Sequence, residues 1–389
     1  TLKLMKKILM IHTTYRLTGG EDVAFNNEVK VLKNNFNVEV MKFSNKNIPN
    51  IFKQFIYFLT NNNKDSQKKL KKKLVKFKPD IVYVHNTWFK ASLGIFKELN
   101  NSGIDFVIKL HNYRFDCGKS FFKKTHLNGR KKCDGCGYND KDNFFFNKYF
   151  KESYIKSLFL IIYSKKYYKL LKESKIVTLS EFQKNFLVES GFEPKLINTL
   201  HNPISIGKIS KNFNYYELEP KSYIIYAGLI SEAKGSKTLI ETYSLLKNFK
   251  KKLVIVGEGP LYSELKKKFE NKNIIFFGKL DNEEVISLIQ NAYSVITNTN
   301  LYEGQPTLLF EASKMKINSV YPNNGGISEF FPNNNPFSFK PNSREDLFNK
   351  LILLNDSKLV QNQSIKNYEF IEEVYSSESY LKNFEKIIN

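Results

Sequence analysis

Cysteine is scarce: Cys117, Cys133 and Cys136 are the only three in 389 residues. So few, and an odd number, exclude a disulfide framework and lead us to expect a reducing, cytoplasmic setting. Long apolar runs are also missing. The longest, Ser157 to Ser164, falls far short of the roughly 20 residues of a membrane-spanning helix, so no integral membrane protein is expected. Lys6-Lys7 followed by Ile8–Ile11 resembles the start of a signal peptide, but the apolar stretch is too short and no small-residue cleavage site follows. It reads better as a first buried strand. Acidic residues are outnumbered, 38 against 61 basic ones, for a net charge of +23. That surplus suits nucleic acid, an anionic membrane surface or phosphorylated substrates; the plainer reading is solvated lysines on helix faces. Helix-turn-helix spacing, an RNP-type aromatic strand and a complete zinc finger are all lacking, so nucleic acid is not an expected partner.

What is present is an ordinary globular composition, 41% hydrophobic and 25% charged, with a rhythm of short apolar strands and amphipathic helices. In the first half, strands are expected at 7–12, 37–43, 80–84, 104–110, 175–179 and 195–200, with helices such as 22–32 and 66–77. The pattern restarts after Asn202-Pro203, with strands at 223–227, 252–256, 274–277, 294–297 and 318–321 and helices near 236–246, 261–269, 283–291 and 307–314. Near-continuous apolar strands alternating with helices imply parallel sheets covered on both faces. The polar stretch Ser205–Lys221 reads as a linker. The expected architecture is therefore α/β, two Rossmann-like domains with parallel sheets facing across a cleft. Residues 1–204 would form the first, 205–370 the second, and 371–389 a C-terminal helix packing back on the first.

The region Asn112–Tyr149 breaks the rhythm like an insertion. The aromatic-basic stretch Phe144–Leu171 after it suits either a membrane-surface helix or a core helix with lysines outside. Cys133-x-x-Cys136, with Cys117 and His126, could in principle supply four zinc ligands, but the second close-spaced pair of a zinc site is absent, and no metal is expected. Asp140-Lys141-Asp142 sits in a Lys/Asn-rich loop and reads as chance.

Two segments carry chemistry. Gly19-Gly20 follows the first strand and opens a helix, where glycine lets an anion approach free N–H groups. It is not a full G-x-G-x-x-G, so no dinucleotide cofactor is indicated. Glu303-Gly304-Gln305-Pro306-Thr307, ahead of a helix that holds Glu311, places a turn, a proline suited to the first helical position and a helix N-terminus in sequence. Backbone N–H groups there can hold a diphosphate. A wholly helical run would turn Glu311 roughly 80° past Glu303; with Glu303 in the loop both can face one ligand.

Glu303-x7-Glu311 resembles the mark of the family 4 retaining glycosyltransferases of the GT-B fold. Gly19-Gly20, His111-Asn112-Tyr113-Arg114, Gly228 to Gly235, Val256 to Leu261 and Asn324 to Glu329 agree with that family in order and spacing. The resemblance implies a role for each matching position. Glu303 would contact hydroxyls of the donor sugar, Glu311 the nucleotide ribose, and Lys234 the departing diphosphate; His111 would lie near the transferred sugar. Gly19, Gly20, Gly228, Gly257, Gly304, Gln305, Pro306 and Thr307 would complete the donor site. One departure stands out: where the family usually has Arg-Leu after the glycine, this chain has Leu229-Ile230, so one of two expected cations is missing.

The resemblance implies a retaining transfer of a sugar from a nucleotide-diphosphate sugar to a glycan, or to a polyprenyl-diphosphate-linked glycan, in surface polysaccharide synthesis. It implies no cofactor and no metal requirement. Together with the lysine run 68–78, it suggests a cytoplasmic enzyme peripheral to the inner face of the plasma membrane. The alternatives are a GT-B enzyme of another reaction, an epimerase or a phosphorylase, and a basic nucleic-acid-binding protein.

Overall fold

Six apolar runs of the first half pair into one parallel sheet. They are β1 (Lys7–Thr14), β2 (Asn37–Ser44), β3 (Ile81–Val84), β4 (Phe106–Lys109), β5 (Lys175–Thr178) and β6 (Ile197–Thr199), in the order β2-β1-β3-β4-β5-β6. The connecting helices are α1 (Gly20–Leu32), α2 (Lys64–Phe77), α3 (Gly94–Ser102), α4 (Tyr154–Lys172) and α5 (Glu181–Glu189). The computed structural model describes residues 5–14, 20–46, 56–57, 60–113, 154–203 and 218–389. Gly19, the three cysteines, His126, Asp140–Asp142 and most of the expected linker lie outside these residues.

The second sheet follows the same grammar. Strands β7 (Tyr223–Ala227), β8 (Lys252–Val256), β9 (Ile274–Gly278), β10 (Ser294–Ile296), β11 (Asn318–Pro322) and β12 (Ser338–Phe339) run in parallel, in the order β12-β11-β10-β7-β8-β9. Helices α6 (Ser236–Tyr243), α7 (Tyr262–Phe269), α8 (Asn282–Asn291), α9 (Thr307–Lys314), α10 (Arg344–Leu353) and α11 (Ser357–Val374) accompany it. The last helix, α12 (Ser377–Ile388), belongs with the first sheet. The chain thus divides into two units, Thr1–Pro203 with Ser377–Asn389, and Ile204–Ser376. The expected end of the second domain at 370 falls inside α11, which stays with the second unit; the chain breaks only at Tyr375–Ser376.

The period of two decides which side chains face which layer. Tyr223 and Ile225 of β7, Val254 and Val256 of β8 and Tyr321 of β11 share one core; Ile224, Tyr226, Leu253, Ile255 and Val320 share the other. Burying one such aliphatic side chain is worth about 1.5–3 kcal/mol, so both faces must be covered by helices. The two-residue β12 is too short for a periodic signal and was not expected from sequence. The end of the expected linker is not loose. Leu218 is buried, the Lys221 N–H donates to Asn291 O (2.7 Å), and its Nζ donates to Gln290 O and Ala292 O (3.0 and 2.9 Å).

In α2 the pattern is of one apolar stripe. Ser66, Leu70, Leu74 and Phe77 are buried while Lys68, Lys69, Lys71, Lys72 and Lys76 are exposed. Asn63 caps it, accepting from the N–H groups of Asp65 and Ser66. Tyr163, Tyr167 and Leu171 of α4 are buried, while residues 144–153 of the expected aromatic-basic stretch lie outside the described residues. No helix among the described residues is long and apolar enough to cross a membrane.

Candidate active site

Read from β9, the second sheet has the 3-2-1-4-5-6 order of a doubly wound fold, which reverses direction between β7 and β10. Ligands of open α/β sheets bind at such a reversal, outside the carboxyl ends of the strands. A cavity of about 190 Å³ lies there, lined by Tyr226, Ala227 and Gly228 at the end of β7, Thr297, Thr299 and Glu303 after β10, Gln305 to Leu309 at the start of α9, and Lys234 and Ile327.

Local chemistry brings these loops together. Asn298 Nδ2 donates to Gly235 O (3.0 Å), the Asn300 N–H to Ala233 O (2.9 Å), and Asn300 Nδ2 to Glu232 O (2.8 Å). Gly235 adopts φ +63°, and a Cβ there would lie 2.0 Å from Asn298 O, so only glycine permits this approach. Gly257 has φ +126°, and its Cβ would lie 2.0 Å from Gly228 O. It therefore joins the ends of β7 and β8 and does not line the cavity. Glu303 is pinned by its backbone: its carbonyl accepts from the Gly326 N–H at 2.9 Å. Its Oε1 meets Lys234 Nζ in an ion pair and accepts from Thr299 Oγ1 at 3.3 Å. Burial and the Glu303 charge push the Tyr226 phenol up, and its hydroxyl donates to Leu229 O (2.9 Å).

Pro306 caps α9, which runs over the expected 307–314; the proline thus stands at the cap, just before the first helical position rather than in it. The first N–H groups of a helix have no intrahelical partner and carry its positive end. Lys234 and this helix start border the same cavity, so an anion held there would meet both. Glu311 lies one turn along α9, where burial pushes its carboxyl up to about 7. Gly304 and buried Gln305 form the turn between Glu303 and the cap. Among the described residues no cluster of three or more His, Cys, Asp or Glu side chains could hold a metal ion.

Gly20 and His111 belong to the other unit. Gly20 is the exposed first residue of α1. His111 follows β4 and borders a cavity of only about 20 Å³ with His85, Asn86, Thr87 and Lys109. Its Nε2 lies 2.8 Å from His85 Nδ1. Beneath it lies a buried charge network that sequence reasoning missed. Lys109 Nζ pairs with Glu28 Oε1 at 2.8 Å, Tyr83 Oη donates to the same oxygen at 3.3 Å, and Tyr380 Oη of α12 donates to it as well. Burial and the Glu28 charge raise both phenols well above the usual tyrosine range. His12 Nε2 meets Asp22 Oδ1 at 2.8 Å nearby. A lysine inside the apolar strand Phe106–Lys109 was the one available signal, because a buried cation demands a buried partner.

Residues 209–370 match the family model described as glycosyl transferases group 1. Over 123 residues, 32% of this chain, the sequence is 28% identical to TuaC of Bacillus subtilis (strain 168), which carries the name of a teichuronic acid biosynthesis glycosyltransferase. The match spans 30% of that relative's length. Solved structures align over nearly the whole chain. Sucrose-phosphate synthase from Thermosynechococcus elongatus gives a TM-score of 0.71 at 12% identity, covering 98% of each chain. Anabaena Alr3699/HepE in complex with UDP and glucose gives 0.64 at 13%, also covering 98% of each. TarM gives 0.66 at 15%, covering 100% of this chain and 99% of that one. These likenesses show the fold, GT-B.

Proposed function

We propose, taking the glycosyl transferases group 1 domain at 209–370 as premise, that this chain is a retaining glycosyltransferase using a nucleotide-diphosphate sugar. The carrying observation is the juxtaposition, at the strand-order reversal of the second sheet, of Lys234, Glu303 and the α9 N-terminus around one cavity. A diphosphate there would draw Lys234 away from Glu303. Lys234 and the helix dipole would then balance the charge that develops on the leaving group, and Glu303 would be released to bind sugar hydroxyls. Glu311, drawn toward neutrality by burial, would take the ribose hydroxyls. No metal is needed for this charge balance. UDP is the first nucleotide to try, because the Anabaena relative binds it.

The acceptor we infer is a surface glycan, free or on a polyprenyl diphosphate, presented at an anionic membrane to which the exposed lysines of α2 would bind. Liposome flotation at moderate salt tests that part: absence of binding to anionic vesicles would remove it. For the donor site, thermal shift with UDP, GDP, ADP and CMP and their common sugars is compared between wild type and Glu311→Ala. A ligand at about 100 times its Kd stabilises the fold by roughly 2.7 kcal/mol. One nucleotide should shift the wild type strongly and the variant weakly. No shift with any of them would overturn the reading.

A further inference from the structure

The histidines at the carboxyl ends of β3 and β4 form a directed pair. His85 Nδ1 and His111 Nε2 are 2.8 Å apart, and the ring centroids are 5.1 Å apart with planes 25° from parallel. That separation is what two ring radii add to the nitrogen contact, so the rings meet edge to edge and share one proton-mediated bond. Burial drives both imidazoles well below the usual histidine range, leaving each neutral at pH 7. A neutral imidazole carries its proton on one nitrogen, so only one of the two rings can donate across this contact.

The other edge of His85 decides which. Its Nε2 faces Glu28 Oε2 at 3.7 Å; both atoms are buried and neither has a hydrogen-bond partner among the described residues. The distance is too long for a hydrogen bond, but in a dry site an N–H facing a carboxylate oxygen is favoured and a lone pair facing it is repelled. Among the described residues Lys109 is the one cation paired with Glu28, and its contact is to Oε1, not to Oε2. With its proton on Nε2, His85 can only accept at Nδ1. His111 must then donate from Nε2, and its own Nδ1 is left bare.

We propose that Glu28 acts through His85 as a positioning residue that holds His111 in the Nε2–H tautomer, leaving its Nδ1 unprotonated and available only as a hydrogen-bond acceptor.

Long-range 1H–15N correlation spectra of the full chain labelled with 15N-histidine read the tautomers directly. Five histidines, each assigned by a His→Gln variant, keep the spectrum tractable. The expected result at pH 7 is a protonated Nε2 and bare Nδ1 at both His85 and His111; a protonated Nδ1 at His111 overturns the proposal. The double variant Glu28→Gln with Lys109→Met removes the carboxylate without stranding the lysine charge. There His111 should lose its single tautomer and show both forms in comparable amounts. An unchanged His111 in a variant that still melts cooperatively would equally overturn the relay.

Discussion

The two units carry six parallel strands each, yet they treat the carboxyl ends of their central strands in opposite ways. In the second unit the space is left open. Glycines 235 and 257 let backbone loops close on each other, and about 190 Å³ remains between Lys234, Glu303 and the start of α9. In the first unit the corresponding space is filled by the chain's own polar side chains, with Glu28, Lys109, His85 and Tyr380 buried and a cavity of about 20 Å³. Open backbone can receive a charged ligand without prior desolvation of side chains. A filled network holds its polar side chains in one arrangement, at the cost of burying the Glu28–Lys109 ion pair. One sheet design thus accommodates both an open cavity and a filled polar network.

The contrast breaks most sharply at Glu28. Glu28→Ala strands the Lys109 ammonium in a site it cannot leave, and breaking such a buried pair costs about 3–5 kcal/mol. Urea unfolding of the full chain should show that loss. A change below about 1 kcal/mol would mean the network is solvated and loose. Lys234→Met makes the complementary cut. The protein should stay folded, because the pair it breaks is partly exposed, while transfer falls about 100–1,000-fold, the effect of removing one charge-stabilising donor. A loss under tenfold would assign the diphosphate to the helix start alone.

Glu311 sharpens the comparison through pH. Its folded value is about 7 against an ordinary 4.5, so between those values the folded state holds a proton that the unfolded state has released. Stability therefore declines as pH rises through this window, by at most about 3 kcal/mol. The first unit has the opposite sign: burial lowers His201 to about 4, so stability is lost as pH falls from 6.5 toward 4. Glu311→Gln should flatten the decline toward pH 7 and raise the melting temperature at pH 8, while donor binding is lost. An unchanged pH profile would show that Glu311 is ionised in the folded protein.

Much of this was legible in the residues. Apolar strands with period-two faces announced both sheets, and the Glu303–Thr307 turn announced the cavity, because turn, proline and helix start follow one another in sequence. The filled network was not legible. Glu28 lies in an amphipathic helix, Lys109 ends a strand and Tyr380 comes over 250 residues later, so only the packed fold brings them to one carboxylate. Lys221 shows the same limit: a polar, proline-containing stretch looks like a linker until its carbonyl partners at 290–292 are placed beside it.

The smallest effect probes Leu229, which stands where the resembled glycosyltransferases usually have Arg. Leu229 is 54% exposed and follows Gly228, which lines the cavity; its carbonyl accepts from Tyr226 Oη, and its side chain is not part of the lining. Among the described residues lining that cavity, Lys234 is the one cation. Leu229→Arg would add a second at a solvated position, where one further charge interaction is worth about 1 kcal/mol. The expected outcome is roughly fivefold tighter nucleotide-diphosphate binding, fading as salt rises, with no change in melting temperature without ligand. Isothermal titration at two ionic strengths reads both parts. Tightening with that salt dependence would mean that a single lysine and a helix dipole leave the diphosphate under-neutralised. Unchanged affinity would mean that they already suffice, and that the open cavity needs fewer charges than the filled network around Glu28.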